Sequence, residues 1–180
     1  MMQRYGDILS FSLLATFLCW AIMAYAAWRD ARTRTFPNGL AVAFTVACAT
    51  ATVLNGGLTQ LGVSDGAGGI QEGGFWAPWG LAVLGRNALA ATVVFAILLA
   101  FELLWRSFRK EPGIGIGDLK FLFALMLLEP VKALISFTLG LIALAITGSI
   151  TRKSSLPLLP FIVGSYFVLL LVSLSLPFAM

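Results

Sequence analysis

The sequence predicts an all-α polytopic membrane protein with about six transmembrane helices, and three observations predict it. Of 180 residues, 59% are hydrophobic and only 11% are charged, with a mean hydropathy of +0.95. A soluble domain carries roughly a quarter charged residues. Apolar stretches near the ~20 residues that a bilayer crossing takes recur along the whole length. The basic residues fall mainly in the short intervals between them, concentrated after every second stretch.

Residues 8–28 form the first span, long and free of charge. Ala24-Tyr25-Ala26 has the small-x-small form of a signal-peptidase site, but the apolar run is long for a signal peptide and is read as a membrane helix. A charged hinge follows, from Arg29 through Asp30, Arg32 and Arg34 to Phe36-Pro37-Asn38. Pro37 disfavours helix at Phe36 and can open the next helix, so residues 40–54 make the second span. Residues 55–79 are polar and glycine-rich and read as a flexible extracytoplasmic loop, with tryptophans at 76 and 79 suited to the headgroup region. The third span lies within 81–105, where Arg86 marks the outer end or snorkels to it.

A basic hinge at 106–111 leads to a fourth segment in which only eight apolar residues, 121–128, precede Glu129-Pro130. To cross, this helix has to begin near Pro112, a residue suited to a first helical turn. Glu129-Pro130-Val131-Lys132 is a tight turn, 131–150 a fifth span, 151–155 a short basic loop and 156–180 a sixth span. No repeat or second domain interrupts 1–180, which reads as a single membrane-embedded unit. Nine of the 12 lysines and arginines follow spans one, three and five. Positive charge collects on the cytoplasmic side of a membrane protein, so those loops are expected inside and both termini outside.

The sequence has no histidine, which removes Ser-His-Asp and Cys-His catalysis and the His-Glu-x-x-His metal motif. Cys19 and Cys48 lie in apolar runs with no Cys-x-x-Cys spacing, so they read as small core residues and no metal site is expected. The net charge of +4 is spread over membrane flanks and gives no nucleic-acid stripe.

Only eight carboxylates remain to carry chemistry. Asp7, Asp65 and Glu72 belong to outer polar segments, and Glu111 and Glu129 bracket the fourth span. Glu102 precedes Arg106 by four residues, the favourable order for a helical ion pair. Asp118 is different. A helix starting near Pro112 puts it about six residues, roughly 9 Å, inside the segment, and an intramembrane acid is a functional-site candidate. Gly113, Gly115 and Gly117 remove side-chain bulk around it. Asp30, with Arg34 four residues later, approaches the same face. Two aspartates held together cannot easily both ionise and share a proton, which equips them for peptide hydrolysis without histidine or metal.

These residues resemble a family. Asp30 followed by Phe36-Pro37-Asn38 is similar to the first aspartate motif of the type IV prepilin peptidases, an Asp with Ile-Pro-Asn six residues on. Gly115-Ile116-Gly117-Asp118-Leu119-Lys120 matches their second motif, Gly-x-Gly-Asp-hydrophobic-Lys. These are GxGD aspartyl proteases, similar in catalytic logic to presenilin and signal peptide peptidase. Phe36 stands in place of isoleucine and Ile114 where methionine is common. Leu156-Pro157-Leu158-Leu159-Pro160-Phe161 is similar to a family segment that usually has glycine where Leu159 stands.

The resemblance implies that Asp30 and Asp118 are catalytic, that Gly115, Gly117, Lys120, Pro37 and Asn38 support them, and that no cofactor is used. Arg32 and Arg34 are candidate contacts for substrate or headgroups. The four-cysteine zinc domain of the larger members, associated with N-methylation, has no counterpart here. The chain thus looks like the short, peptidase-only form that serves Flp pili or archaeal flagellin-like proteins. The implied partner is a prepilin or pseudopilin in the cytoplasmic membrane, cut after a short basic leader at the cytoplasmic boundary. A non-catalytic subunit of a pilus or secretion machine and a small proton-coupled transporter are the competing readings.

Overall fold

The computed structural model describes residues 2–62, 77–109, 115–151 and 156–175, with side chains described over 10–55, 80–108, 115–151, 156–173 and 175. Among these residues the chain is all helical: α1 (Met2–Thr33), α2 (Asn38–Gly62), α3 (Ala77–Arg109), α4 (Ile116–Leu128), α5 (Pro130–Thr151) and α6 (Leu159–Ser175). Four stretches are long and apolar enough to cross a membrane: Ser10–Thr33, Asn38–Asn55, Gly80–Phe108 and Pro130–Thr151. The sixth helix offers a shorter apolar run, Leu159–Ser173. The fourth has only 13 residues, about 20 Å at 1.5 Å per residue.

That short helix is the centre of the bundle. It packs against α2, α3 and α5, and Leu119, Phe121, Leu122, Ala124, Leu125 and Met126 are all buried. A helix apolar all round belongs inside. The surrounding helices turn large apolar side chains outward, among them Leu89, Val131 and Ile150, the face that a bilayer covers.

Contacts between the helices fix the direction of each neighbour. At one end Lys120 of α4 meets Asn38 of α2, and Leu159 of α6 meets Asp30 of α1. At the other, Ser12 of α1 bonds Asn55 of α2, and α3 passes so close that a Cβ on Gly80 would collide with the Val53 carbonyl. Tyr166 of α6 reaches Glu129, at the α4–α5 turn, at 3.5 Å. The ends of α1, α3 and α5 and the starts of α2, α4 and α6 therefore gather at one pole.

Two boundaries differ from the sequence reading. The polar interval from 55 does not begin as a loop: α2 continues to Gly62 and α3 already starts at Ala77, while 63–76 lie outside the described residues. α4 starts at Ile116 with Gly115 as N-cap; Pro112 lies outside the described residues. Asp118 is thus the third residue of its helix, in the first turn. The length of a bilayer crossing predicts a start near Pro112, but α4 begins at Ile116 and closes its far end on polar partners from its neighbours.

Its last turn shows how. The Leu127 carbonyl accepts from Asn87 Nδ2 of α3 at 2.9 Å and lies 2.8 Å from Thr52 Oγ1 of α2. Glu129 N–H closes on the Leu125 carbonyl at 3.2 Å. Helix ends leave carbonyls unpaired, and in hydrocarbon each would cost several kcal/mol. Buried Thr52 and Asn87 remove that cost.

Candidate active site

Asp30 sits in the last turn of α1, 6% exposed. The helix is closed just behind it. Arg34 takes the left-handed conformation (φ 53°) and its N–H bonds the Asp30 carbonyl at 2.9 Å, the single-bond C-terminal motif in which glycine is usual. The connection 34–37 then turns the chain into α2, with the Pro37 carbonyl accepting from Ala41 N–H at 3.1 Å. The Asp30 carboxylate receives the backbone N–H of Leu159, the first residue of α6, and lies within the field of Arg34. Its Oδ2 is buried with no hydrogen-bond partner among the described residues.

Asp118 occupies the facing position. As the third residue of α4 it reaches back to the N–H of the Gly115 cap, the return half of a capping box. Gly115 has no side chain to complete the other half. The two aspartates interact electrostatically with each other. Residues 88 positions apart in the sequence are thereby brought to one place at the same pole.

The supporting residues join the two motifs physically. A Cβ on Gly115 would lie 2.9 Å from Asp118 Oδ2, and one on Gly117 would lie 3.0 Å from Phe36 Cβ. Gly115 therefore makes room for the carboxylate and Gly117 for the 34–37 connection. Phe36 packs edge-on to Phe121 at 5.9 Å, and Phe121 stacks on Phe44 at 4.9 Å. Lys120 Nζ donates to Asn38 Oδ1 at 2.7 Å. The Phe-Pro-Asn and Gly-x-Gly-Asp-x-Lys stretches form one contact surface.

Other candidates are placed elsewhere. Arg32 is exposed, with its guanidinium 4.5 Å over the Trp28 ring, a cation–π pair at the edge of the bundle. Glu102 is almost fully buried and pairs with Arg106 Nε at 2.6 Å, as its spacing predicted. Cys19 and Cys48 are both fully buried and hydrogen-bonded to each other. Among the described residues no cluster of His, Cys, Asp and Glu could hold a metal ion. Sequence reasoning missed the Leu159 amide on Asp30. The available signal was Pro160, a residue at home in a first helical turn, which starts α6 where its free amides face the carboxylate.

Comparison with known families decides the identity. The model of the type IV leader peptidase family matches residues 15–178. The chain belongs to that family. No curated protein and no solved structure matches it. As a type IV leader peptidase family member the chain is a peptidase, a hydrolase of peptide bonds, and its long apolar helices make it a multi-pass membrane protein. The matched region holds both aspartates, α1 from residue 15 on, and all of α2 to α6.

Proposed function

We propose that this chain is a membrane aspartyl endopeptidase that removes the short basic leader from prepilin-like proteins, with Asp30 and Asp118 as its catalytic pair. The observation that carries the reading is the meeting of these two acids at one pole, with Asp30 Oδ2 buried and without a hydrogen-bond partner among the described residues. Buried polar oxygens ordinarily have partners, and a shared proton or an attacking water would supply one.

In the reaction, the ionised member of the pair takes a proton from water as the water oxygen bonds to the scissile carbonyl carbon. The protonated member donates a hydrogen bond to the carbonyl oxygen as the carbon becomes tetrahedral and the oxygen gains negative charge. The carbon–nitrogen bond then breaks and the leaving amine takes a proton from the pair. The products are a leader carboxylate and a new amino terminus, and the pair titrates as a unit. Leu159 N–H, Gly115 N–H and the Lys120–Asn38 contact hold the carboxyl groups still.

The basic residues 29, 32, 34, 106, 109 and 120 sit at the pole of the pair, which supports a cytoplasmic-membrane enzyme with its site at the cytoplasmic face. Within the family, this reading assigns the peptidase to Flp-type systems.

Co-expression with Flp-type prepilins in a peptidase-deficient host tests this. Wild type is expected to shorten the prepilin, and Asp30→Ala and Asp118→Ala each to leave it uncut. Cleavage by either variant would sink the paired-acid reading. No cleavage by wild type across several well-expressed prepilins would favour a silent subunit or a transporter.

A further inference from the structure

The amide that meets Asp30 is tied to α5 through three successive contacts. Leu159 N–H donates to the Asp30 carboxylate. It belongs to the same planar peptide unit as the Leu158 carbonyl, so the two groups move together. That carbonyl accepts from Phe161 N–H at 3.0 Å and from Ile162 N–H at 3.2 Å. Ile162 is fully buried and lies against Gly140 of α5. A Cβ on Gly140 would be 3.0 Å from Ile162 N and 3.1 Å from both its Cα and its Cγ1. Two of those three atoms are backbone, so α5 and α6 touch main chain to main chain at this level, as small residues in membrane helices allow.

We propose that Gly140 is a positioning residue for the acid pair, seating the first turn of α6 so that the Leu159 amide reaches Asp30. The proposal rests on the aspartyl-peptidase reading and adds to it a residue on α5, a helix that carries neither acid. Carbon atoms pack best at about 3.5–4.0 Å, so even a methyl group at position 140 would push the Ile162 backbone aside. The Ile162 amide would carry the Leu158–Leu159 peptide with it, and the bond to Asp30 would lose its alignment. Hydrogen bonds weaken steeply as alignment is lost.

The rest of α6 has little freedom to absorb such a push. Its buried face runs through Leu159, Ile162, Val163 and Tyr166, spaced three and four apart on one side of the helix. At the far end of that face Tyr166 meets Glu129 at 3.5 Å. Gly164, by contrast, is exposed on the outer side of the same helix, and a Cβ there would meet nothing within 4 Å. The two glycines therefore separate a packed contact from an open one on neighbouring helices.

Cleavage kinetics of the purified full chain on a Flp-type prepilin, followed across pH, test the assignment. Gly140→Ala requires a shift of only a few tenths of an ångström and is expected to stay folded. It should lower kcat about tenfold or more, with KM little changed. A hydrogen bond to an ionised carboxylate favours ionisation, so losing it should move the acid limb of kcat/KM to higher pH by about one unit. The charged groups that act on Asp30 are Arg34 and Asp118. The helices packed on α1, α2 and α6, contain no charged residue. Leu159→Pro deletes the amide proton where proline suits a first helical turn. It should move the limb the same way, and adding Gly140→Ala to it should move the limb no further. Gly164→Ala should match wild type. A wild-type pH profile in Gly140→Ala, or an unmoved limb in Leu159→Pro, overturns the positioning role while the peptidase reading stands. So does a Gly140→Ala protein that fails to fold, since the contact would then serve packing alone. If wild type cleaves nothing, or Asp30→Ala still cleaves, the acid-pair reading has failed and takes this proposal with it.

Discussion

At the scale of single residues, the two glycines flanking Ile116 serve different purposes, and that difference can be measured. Gly115 leaves space for the Asp118 carboxylate, since a Cβ there would lie 2.9 Å from Oδ2. Gly117 leaves space for Phe36, whose Cβ would be 3.0 Å away. Gly115→Ala should therefore displace a carboxylate oxygen on a flexible side chain, lowering kcat strongly with little effect on stability. Gly117→Ala should press on the 34–37 connection and cost about 1–3 kcal/mol of stability, as overpacking does. Thermal unfolding in detergent, measured beside prepilin cleavage, separates the two. Equal loss of stability in both variants would mean that neither glycine has the specific neighbour assigned to it. Arg34 adds a smaller residue-scale point. Its left-handed backbone closes α1 four residues after Asp30, where glycine would be the ordinary choice, and its side chain keeps a positive charge near the carboxylate.

Among the helices, α4 explains what the sequence could and could not reveal. The two motifs, their aspartates and the order of apolar segments were legible, because alternating glycines, Pro37 and the apolar runs leave direct local marks. The start of α4 was not legible. A bilayer-length argument stretched it back towards Pro112, whereas the helix begins with Gly115 as cap and Asp118 folded back on the cap amide. The reason is tertiary: the Leu127 carbonyl at the far end meets Thr52 and Asn87 from two other helices, and no local pattern announces that. The continuation of α2 past Asn55 was missed on similar grounds, since a polar composition alone suggested a loop. Thr52→Val or Asn87→Leu should each cost about 1–3 kcal/mol, the usual penalty for leaving a buried group short of a partner. The double variant should lose more than the sum, because either donor partly covers for the other. Strict additivity would show that the Leu127 carbonyl does not depend on this pair.

For the whole molecule, the open question is whether a 13-residue helix crosses. At about 20 Å it is shorter than a ~30 Å hydrocarbon core, and a re-entrant path would change the parity of the entire chain. The contacts along α2 argue for a crossing. α4 meets α2 near its start through Lys120 and Asn38, midway through Phe121 and Phe44, and late through Leu127 and Thr52. It therefore runs parallel to a helix that is itself long enough to span, from one pole nearly to the other. Its far end continues into the Glu129–Lys132 ion pair, 2.9 Å long, a polar turn suited to the opposite interface. Alkaline phosphatase, active only when exported, reads this directly. Fusions after Lys110 and Lys153 should be inactive and a fusion after Lys132 active, which places the basic ends of α3 and α5 inside and the α4–α5 turn outside. Inactivity at both 110 and 132 would mean that α4 dips and returns. The acid pair would then lie on a different path through the bilayer, and the termini would fall on opposite sides.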